Sequence, residues 1–462
     1  MKKVAIIGGG ISGLSALHFL MIRHSDICQP VLFEKESRLG GTIGTDRIGG
    51  FVSDWGPNGF LDKVPLTLQM VDELGATDLL EPADSASGRR FIYAHNRLNE
   101  ISASPLAFMR SPLLSLRGRL RLTAEPFIKK RINWDEDESI YNFVARRIGR
   151  EAADTLIDPM VSGIFGGAVR SLSLASCFPI MVAMEKEHGS LIKAMFARMK
   201  AAKKKGSSGK AGPAGPAGHL TSFKNGLVTI IEKFHEKYDQ QIKTDQAATA
   251  IKKSKAGYLI EFGSNQSEEF DAVICSTPAF TAADITADMD GSLSRILASI
   301  PYSSIAVVCL GFRREDIGHD LDGFGFLVPR TQGKRILGNI WTSSIFSGRS
   351  PEGLVQLRVM IGGASDPEAA SLSDGALLDI VTGDLEPILN ISGPPAFVRI
   401  FKFARGIPQF TIGHRNRLQQ LNDRLVRYPG LYFTGNAYDG VSLNDCVIRS
   451  DKVVKDMRRY FS

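Results

Sequence analysis

The chain is poor in cysteine, has no long apolar run and shows no obvious acid–base or nucleophile constellation. Each absence removes a class of function. The five cysteines (Cys28, Cys177, Cys275, Cys309 and Cys446) are scattered along 462 residues without a Cys-x-x-Cys pair. That excludes a zinc ribbon and a disulfide framework and points to a reducing, cytoplasmic compartment with no metal site. No apolar stretch approaches the roughly 20 residues needed to cross a bilayer. Met1-Lys2-Lys3 leads straight into an apolar segment, so no secretory leader is expected. No His/Asp or Ser/His constellation points to a general base, and His188, His219 and His414 read as structural or exposed, so no catalytic proton-transfer residue is assigned. The net charge is +7, yet no nucleic-acid-binding module accompanies it, and a nucleic-acid partner is not expected. A hydrophobic content of 43% beside 23% charged residues is that of a globular protein, and the length requires two or three domains.

What is present begins at the N-terminus. Val4-Ala-Ile-Ile-Gly-Gly-Gly-Ile-Ser-Gly13 reads as a strand, a glycine turn and the start of a helix. Val31-Leu-Phe follows as a second strand and ends on Glu34. This is a βαβ unit with Gly8, Gly10 and Gly13 in the G-x-G-x-x-G register and an acid about 20 residues on. Gly8 permits the tight turn, Gly10 lets backbone approach a pyrophosphate, and Gly13 lets helix and strand pack closely. Gly9, Ile11 and Ser12 complete the phosphate loop, whose helix start offers free N–H groups and partial positive charge. Glu34, followed by Lys35, can accept hydrogen bonds from a ribose.

Further segments extend the site. Glu34-Lys-Glu-Ser-Arg38-Leu-Gly40-Gly41-Thr42 resembles the E-x-x-x-R-x-G-G extension of FAD-binding oxidases, in which the arginine and glycines lie along the cofactor. Asp54-Trp-Gly56-Pro57-Asn58-Gly59 is similar to the turn that passes the isoalloxazine ring in that superfamily, where a side chain would collide. At the far end, Gly430-Leu-Tyr-Phe-Thr-Gly435-Asn-Ala-Tyr-Asp-Gly440-Val441-Ser442-Leu443-Asn444-Asp445 reads as strand, glycine loop and helix. It resembles the C-terminal FAD motif of flavin amine-oxidase-type proteins. The two motifs are about 420 residues apart and must meet in space, which makes the nucleotide domain discontinuous.

Between them, residues from about 85 to 200 read as mainly helical, with Ser139–Gly149 the clearest amphipathic case. Leu106–Arg131 alternates apolar residues with Arg110, Arg117, Arg119, Arg121, Lys129, Lys130 and Arg131 against one acid, Glu125. That mixture suits an interfacial segment on anionic lipid, or equally a helix with a solvated basic face. Lys203–Gly218 collapses to small and structure-breaking residues and reads as a loop. Phe223-Lys-Asn-Gly226 opens a second nucleotide-domain segment. Ala248 stands where the resemblance places a residue near the adenine end, and Asp271–Pro278 returns a strand. From about 295 to 405 strand-like runs dominate.

Gly323–Pro329, Leu337–Gly353, Met360–Gly363, Ile407–His414 and Asp439–Cys446, in that order and spacing, resemble the protoporphyrinogen oxidase branch of the flavin amine-oxidase superfamily. The resemblance implies an α/β fold: a discontinuous Rossmann-like FAD domain of the p-hydroxybenzoate hydroxylase type, a mixed-sheet substrate domain and an α-helical membrane-associated domain. The expected division is 1–80, 220–290 and 406–462 for FAD, 81–205 for the helices and 291–405 for the substrate sheet. One non-covalent FAD per chain is implied, with Cys446 a buried thiol rather than an attachment point. Also implied are a porphyrinogen substrate oxidised in three rounds, molecular oxygen as acceptor, and peripheral contact with the cytoplasmic membrane. A hand-off to a ferrochelatase and a homodimer complete the expected partners. By resemblance Leu327, Ile340 and Met360 line an apolar slot, though strand-core roles fit them too. Arg90 matches a propionate-binding arginine, with Arg89 as its alternative. Protoporphyrinogen IX and coproporphyrinogen III both remain open as substrates, as do another flavin oxidase activity and a FAD-binding carrier without turnover.

Overall fold

The computed structural model describes residues 1–101, 112–204, 218–263 and 266–461. Five parallel strands form the first sheet, in lateral order Ile242–Lys243, Cys28–Phe33, Lys2–Ile7, Ala272–Cys275 and Leu431–Phe433. Its strands are covered on both faces, which is why they read as continuous apolar runs. Val4 and Ile6 join one core with the helices Ile11–His24 and Leu443–Phe461, while Ala5 and Ile7 join a second core on the other face. The two chain ends are clasped together where Ser450 Oγ donates to the Ser12 carbonyl at 2.8 Å. A three-stranded antiparallel sheet (Ala248–Lys253, Tyr258–Phe262, Gln266–Phe270) extends this half.

The second large sheet has seven strands: Phe397–Pro408, Tyr302–Arg313, Leu354–Gly362, Ile336–Trp341, Gly325–Leu327, Arg90–Ala94 and Arg97–Glu100. It is mixed, since Gly325–Leu327 runs parallel to Arg90–Ala94 while its other pairings are antiparallel. One face packs on the helix Asp374–Leu389 through Leu377, Val381, Leu385 and Ile388. The opposite face meets a helical lobe that includes Ile140–Arg147 and Asp158–Phe165. Gly163 is one contact there, and a Cβ at that position would lie 2.8 Å from Leu327 Cδ2.

The helical reading of 81–205 needs correction at its start. Arg90–Ala94 and Arg97–Glu100 are a hairpin of the seven-stranded sheet. His95 and Asn96 both take positive φ, +55° and +56°, as a two-residue turn between twisted strands requires. Phe91 and Tyr93 then face one core and Ile92 and Ala94 the other. Leu80–Pro82 is also a strand, paired with Leu220–Phe223. Among the described residues no helix is long and apolar enough to cross a membrane. The loop expected at Lys203–Gly218 and the start of the basic segment fall on residues 205–217 and 102–111, outside the described residues.

The lobe is held by a buried ion network. The Arg147 guanidinium donates to Glu125, whose carboxylate also accepts from Ser190 Oγ and from the N–H groups of Leu191 and Ile192, which cap the helix Leu191–Lys204. Five groups thereby satisfy one another in a space too dry to leave any of them alone.

Candidate active site

The nucleotide motif comes together at the carboxyl ends of the parallel strands, where open α/β sheets bind ligands. Gly8 takes φ +107°, and Ser276 Oγ donates to the carbonyls of Ile7 and Gly8, locking the turn to the neighbouring strand. A Cβ on Gly13 would lie 2.0 Å from the Gly8 carbonyl oxygen, whereas one on Gly10 would meet nothing within 4 Å. Gly13 is therefore a packing glycine, and Gly10 borders open space. No side chain caps the Ile11–His24 helix, so the N–H groups of its first turn (Ile11, Ser12, Gly13) keep their anion-binding capacity. Glu34 is buried, accepting from Gly9 N–H at 2.7 Å and Glu36 N–H at 3.0 Å. Each oxygen retains a lone pair for a ribose hydroxyl. Lys35 is exposed and pairs with Glu36 at 3.1 Å. Gln246 N–H donates to the Glu34 carbonyl, which brings the chain leading to Ala248 alongside this end.

Arg38 donates to the Gly41 carbonyl at 2.7 Å and lies over the Trp55 ring. The Gly10 and Gly40 backbones pair as an isolated bridge, Gly41 stands over Gly10, and Gly56 backs onto the Thr42 carbonyl. Next to Gly56 and Pro57, the Asn58 side-chain amide nitrogen is buried with no partner among the described residues, while Gly59 packs on Thr221. Gly435 (φ +138°) has space around it, its nearest neighbours being Tyr438 and the Ser276 carbonyl near 4 Å. Ser442 and Asp445 cap each other at the start of the last helix. Leu443 enters the nucleotide-domain core, and Val441 reaches the core of the helical lobe.

The expected slot residues share one sheet face. Leu327, Gly338, Met360 and Val307 are lateral neighbours, and the adjoining row is Arg90, Gly325, Ile340, Arg358 and Cys309. Residues opposite each other in a ladder point to the same side. Gly325 and Gly338 leave two recesses among these larger side chains. Leu327 and Met360 are half-buried; Ile340 is buried. Arg90 is exposed, lies over Phe324 at 5.1 Å and has no acidic partner among the described residues. Desolvation by the surrounding protein lowers its pKa. Arg89, by contrast, is held by Glu100 at 3.1 Å and by Asp322.

One residue of this face escaped the sequence. Arg358 is buried, and its Nη2 donates to the Gly56 carbonyl, so it bridges the slot face and the nucleotide turn. The available signal was a charge inside an apolar alternation: Gln356, Arg358 and Met360 on one side of the strand, Leu357, Val359 and Ile361 on the other.

The fold, its glycine-lined groove and this sheet face define a flavoenzyme class, and the chain belongs to the flavin containing amine oxidoreductase family, matched over residues 11–457. Within it, the chain is 31% identical to coproporphyrinogen III oxidase of Bacillus subtilis (strain 168), covering 99% of this chain and 98% of that one. It is 29% identical to protoporphyrinogen oxidase 1, chloroplastic, of Arabidopsis thaliana, covering 99% and 88%. A solved structure from Exiguobacterium sp. 255-15, which carries a provisional protoporphyrinogen oxidase name, superposes with a TM-score of 0.84 at 26% identity over 99% of both chains. Reduced UDP-galactopyranose mutase shares the fold alone, with a TM-score of 0.74 at 16% identity.

Proposed function

We propose that the protein is an FAD-dependent porphyrinogen oxidase that converts protoporphyrinogen IX to protoporphyrin IX in haem biosynthesis, with oxygen as the terminal acceptor. Arg90, Leu327, Ile340 and Met360 lie on one face of a sheet that adjoins the nucleotide groove, and this observation carries the proposal. A macrocycle with carboxylate arms needs a broad apolar surface with a cation at its rim. The groove fits FAD: Gly10 borders space that a Cβ would enter, the helix start lacks a cap, and Asn58 holds an orphaned buried donor. Glu34 would take the ribose, the turn Gly8–Gly13 the pyrophosphate, and Gly41–Thr42, Gly56–Gly59 and Gly435–Leu443 the flavin half. Bound FAD supplies the acceptor for the hydride equivalents. The chain's own residues then hold the substrate, cover it with the lobe and exclude water.

The cofactor is held non-covalently in this reading. Cys446 is buried and its thiol is pushed up to about 11 by that burial, far from the thiolate that attachment needs. Functionally, residues 1–80, 220–290 and 406–462 hold FAD; 291–405 together with the 90–100 hairpin hold the substrate; the helices of 112–204 cap it. Leu116, Leu120, Phe127 and Ile132 are exposed beside exposed Arg117, Lys129 and Lys130, which supports peripheral attachment to an anionic membrane.

A second reading, oxidation of coproporphyrinogen III to coproporphyrin III, is favoured by the near full-length match to the Bacillus subtilis relative. Steady-state oxidation of both porphyrinogens, followed by product fluorescence with and without oxygen, decides between them. A bound flavin that neither substrate bleaches anaerobically would leave no porphyrinogen oxidase activity to assign.

A further inference from the structure

Arg358 is a buried guanidinium with no ion-pair partner among the described residues. It is 4% exposed, with Ile340 and Cys309 as lateral neighbours. Among the described residues its guanidinium makes one hydrogen bond, to the Gly56 carbonyl, and its buried Nε meets no acceptor. The other two buried arginines of the described chain both have carboxylates: Arg147 has Glu125, and Arg349 has Asp54. Asp54 is near enough to act on Arg358 through space, but its own oxygens are engaged. Oδ2 accepts from Arg349 at 3.1 Å, and Oδ1 accepts from Thr45 Oγ1 at 2.6 Å and Leu227 N–H at 2.9 Å. Cys309 offers no charge, since burial holds its thiol up to about 11.

A charge taken out of water without a partner is costly, and proteins pair such groups or give them a ligand. Leucine or methionine at 358 would fill the same place in the strand at no electrostatic cost. The arginine instead stands where the Gly56–Pro57 turn meets the substrate-facing rows. A flavin gains one negative charge when it takes up hydride, two electrons arriving with one proton. A fixed cation in a dry site favours the more negative form.

We propose that Arg358 supplies the flavin, at the Gly56–Pro57 turn, with the fixed positive charge that sets its reduction potential. The proposal rests on the FAD reading above and assigns this residue a role in it. The test is redox titration of flavin-loaded wild type, Arg358→Gln and Arg358→Lys, with thermal melting of the flavin-free proteins alongside. A nearby opposite charge shifts a charged-to-neutral balance by roughly one to three decades. Arg358→Gln should therefore change the ratio of affinities for reduced and oxidised cofactor at least about tenfold. For a two-electron couple that lowers the potential by about 30 mV. Arg358→Lys should recover part of the shift. The flavin-free Gln variant should melt no lower than wild type, because it has lost an unpaired buried charge.

An unmoved potential in the Gln variant, with flavin bound, overturns the proposal. A lowered melting temperature with an unmoved potential does so too and makes Arg358 a tether for the turn. If the Gln variant does not fold, Arg358→Met decides: it fills the same place in the strand without the charge, and a wild-type potential with flavin bound overturns the proposal. A wild-type protein that takes up no FAD fails the cofactor reading and this proposal together, whereas a normal flavoprotein with unmoved potentials fails only the latter.

Discussion

Replacing Arg90 by alanine removes an exposed cation, at the edge of the proposed slot, that pairs with no acid among the described residues. If it grips a substrate carboxylate, the contact is a charge-assisted hydrogen bond, which contributes about 1.5–3 kcal/mol. The residue is exposed, yet the surrounding protein partly desolvates its guanidinium, so the whole of that range applies. At about 1.4 kcal/mol per decade, kcat/KM should fall roughly tenfold and no more than about a hundredfold. The loss should appear in KM. A carboxylate arm is held equally in the ground and transition states, and uniform binding does not lower the barrier. Arg90→Lys should return part of the affinity but lacks the bidentate fork. Arg89→Ala is the internal control. Arg89 is spent on Glu100 and Asp322, so its removal should leave kcat/KM within about twofold. Product fluorescence over a range of porphyrinogen concentrations gives KM and kcat separately, and flavin absorbance shows that cofactor content is unchanged. Wild-type kinetics for Arg90→Ala on both protoporphyrinogen IX and coproporphyrinogen III would refute the assignment. A tenfold loss in Arg89→Ala instead would transfer it to the neighbour.

Gly10→Val should fold normally and lose its flavin, because its side chain enters open space in the cofactor groove; Gly13→Val should unfold the protein, because its Cβ meets the Gly8 carbonyl. Circular dichroism and flavin absorbance of the two purified variants separate these effects. His414, 1% exposed and stacked on Phe410 at 4.3 Å, has its pKa lowered by burial from 6.5 to about 4. The unfolded chain therefore binds the proton first, and stability present above pH 6.5 should drain away as the pH falls toward 4, by about 3 kcal/mol in all. Urea midpoints should show this slope, and His414→Gln should flatten it. Serine at Leu116, Leu120 and Phe127 together should abolish co-sedimentation with anionic vesicles at low salt while leaving the melting temperature within a few degrees; undiminished binding would place the membrane contact elsewhere.

The parts of the site that were legible in sequence are local. Gly8 to Gly13 and Glu34 to Thr42 are short stretches whose backbone demands are written in glycine. The slot residues could be named only through resemblance, because the rows joining Leu327 to Met360 and Arg90 to Ile340 depend on strand pairings across tens to hundreds of residues. The place of the Arg90–Ala94 strand in the sheet was hidden for the same reason: its parallel partner is Gly325–Leu327. Arg358 finds its acceptor 302 positions away at Gly56, and no local pattern announces such a meeting. Lys35, expected beside Glu34, presents an exposed side chain paired with Glu36.

The order of strands in the five-stranded sheet also sets a timetable. Lys2–Ile7 lies beside Ala272–Cys275, whose other neighbour is Leu431–Phe433. A chain emerging from the ribosome therefore leaves one edge of its first strand open long after Cys28–Phe33 has been made, until Ala272–Cys275 exists, and Leu431–Phe433 comes later still. Contacts this distant in sequence are slow to form, and their apolar surfaces stay open meanwhile. The seven-stranded sheet can close beforehand, since its last strand ends at Pro408. A chain interrupted shortly after Pro408 would carry the whole seven-stranded sheet beside an unfinished five-stranded one.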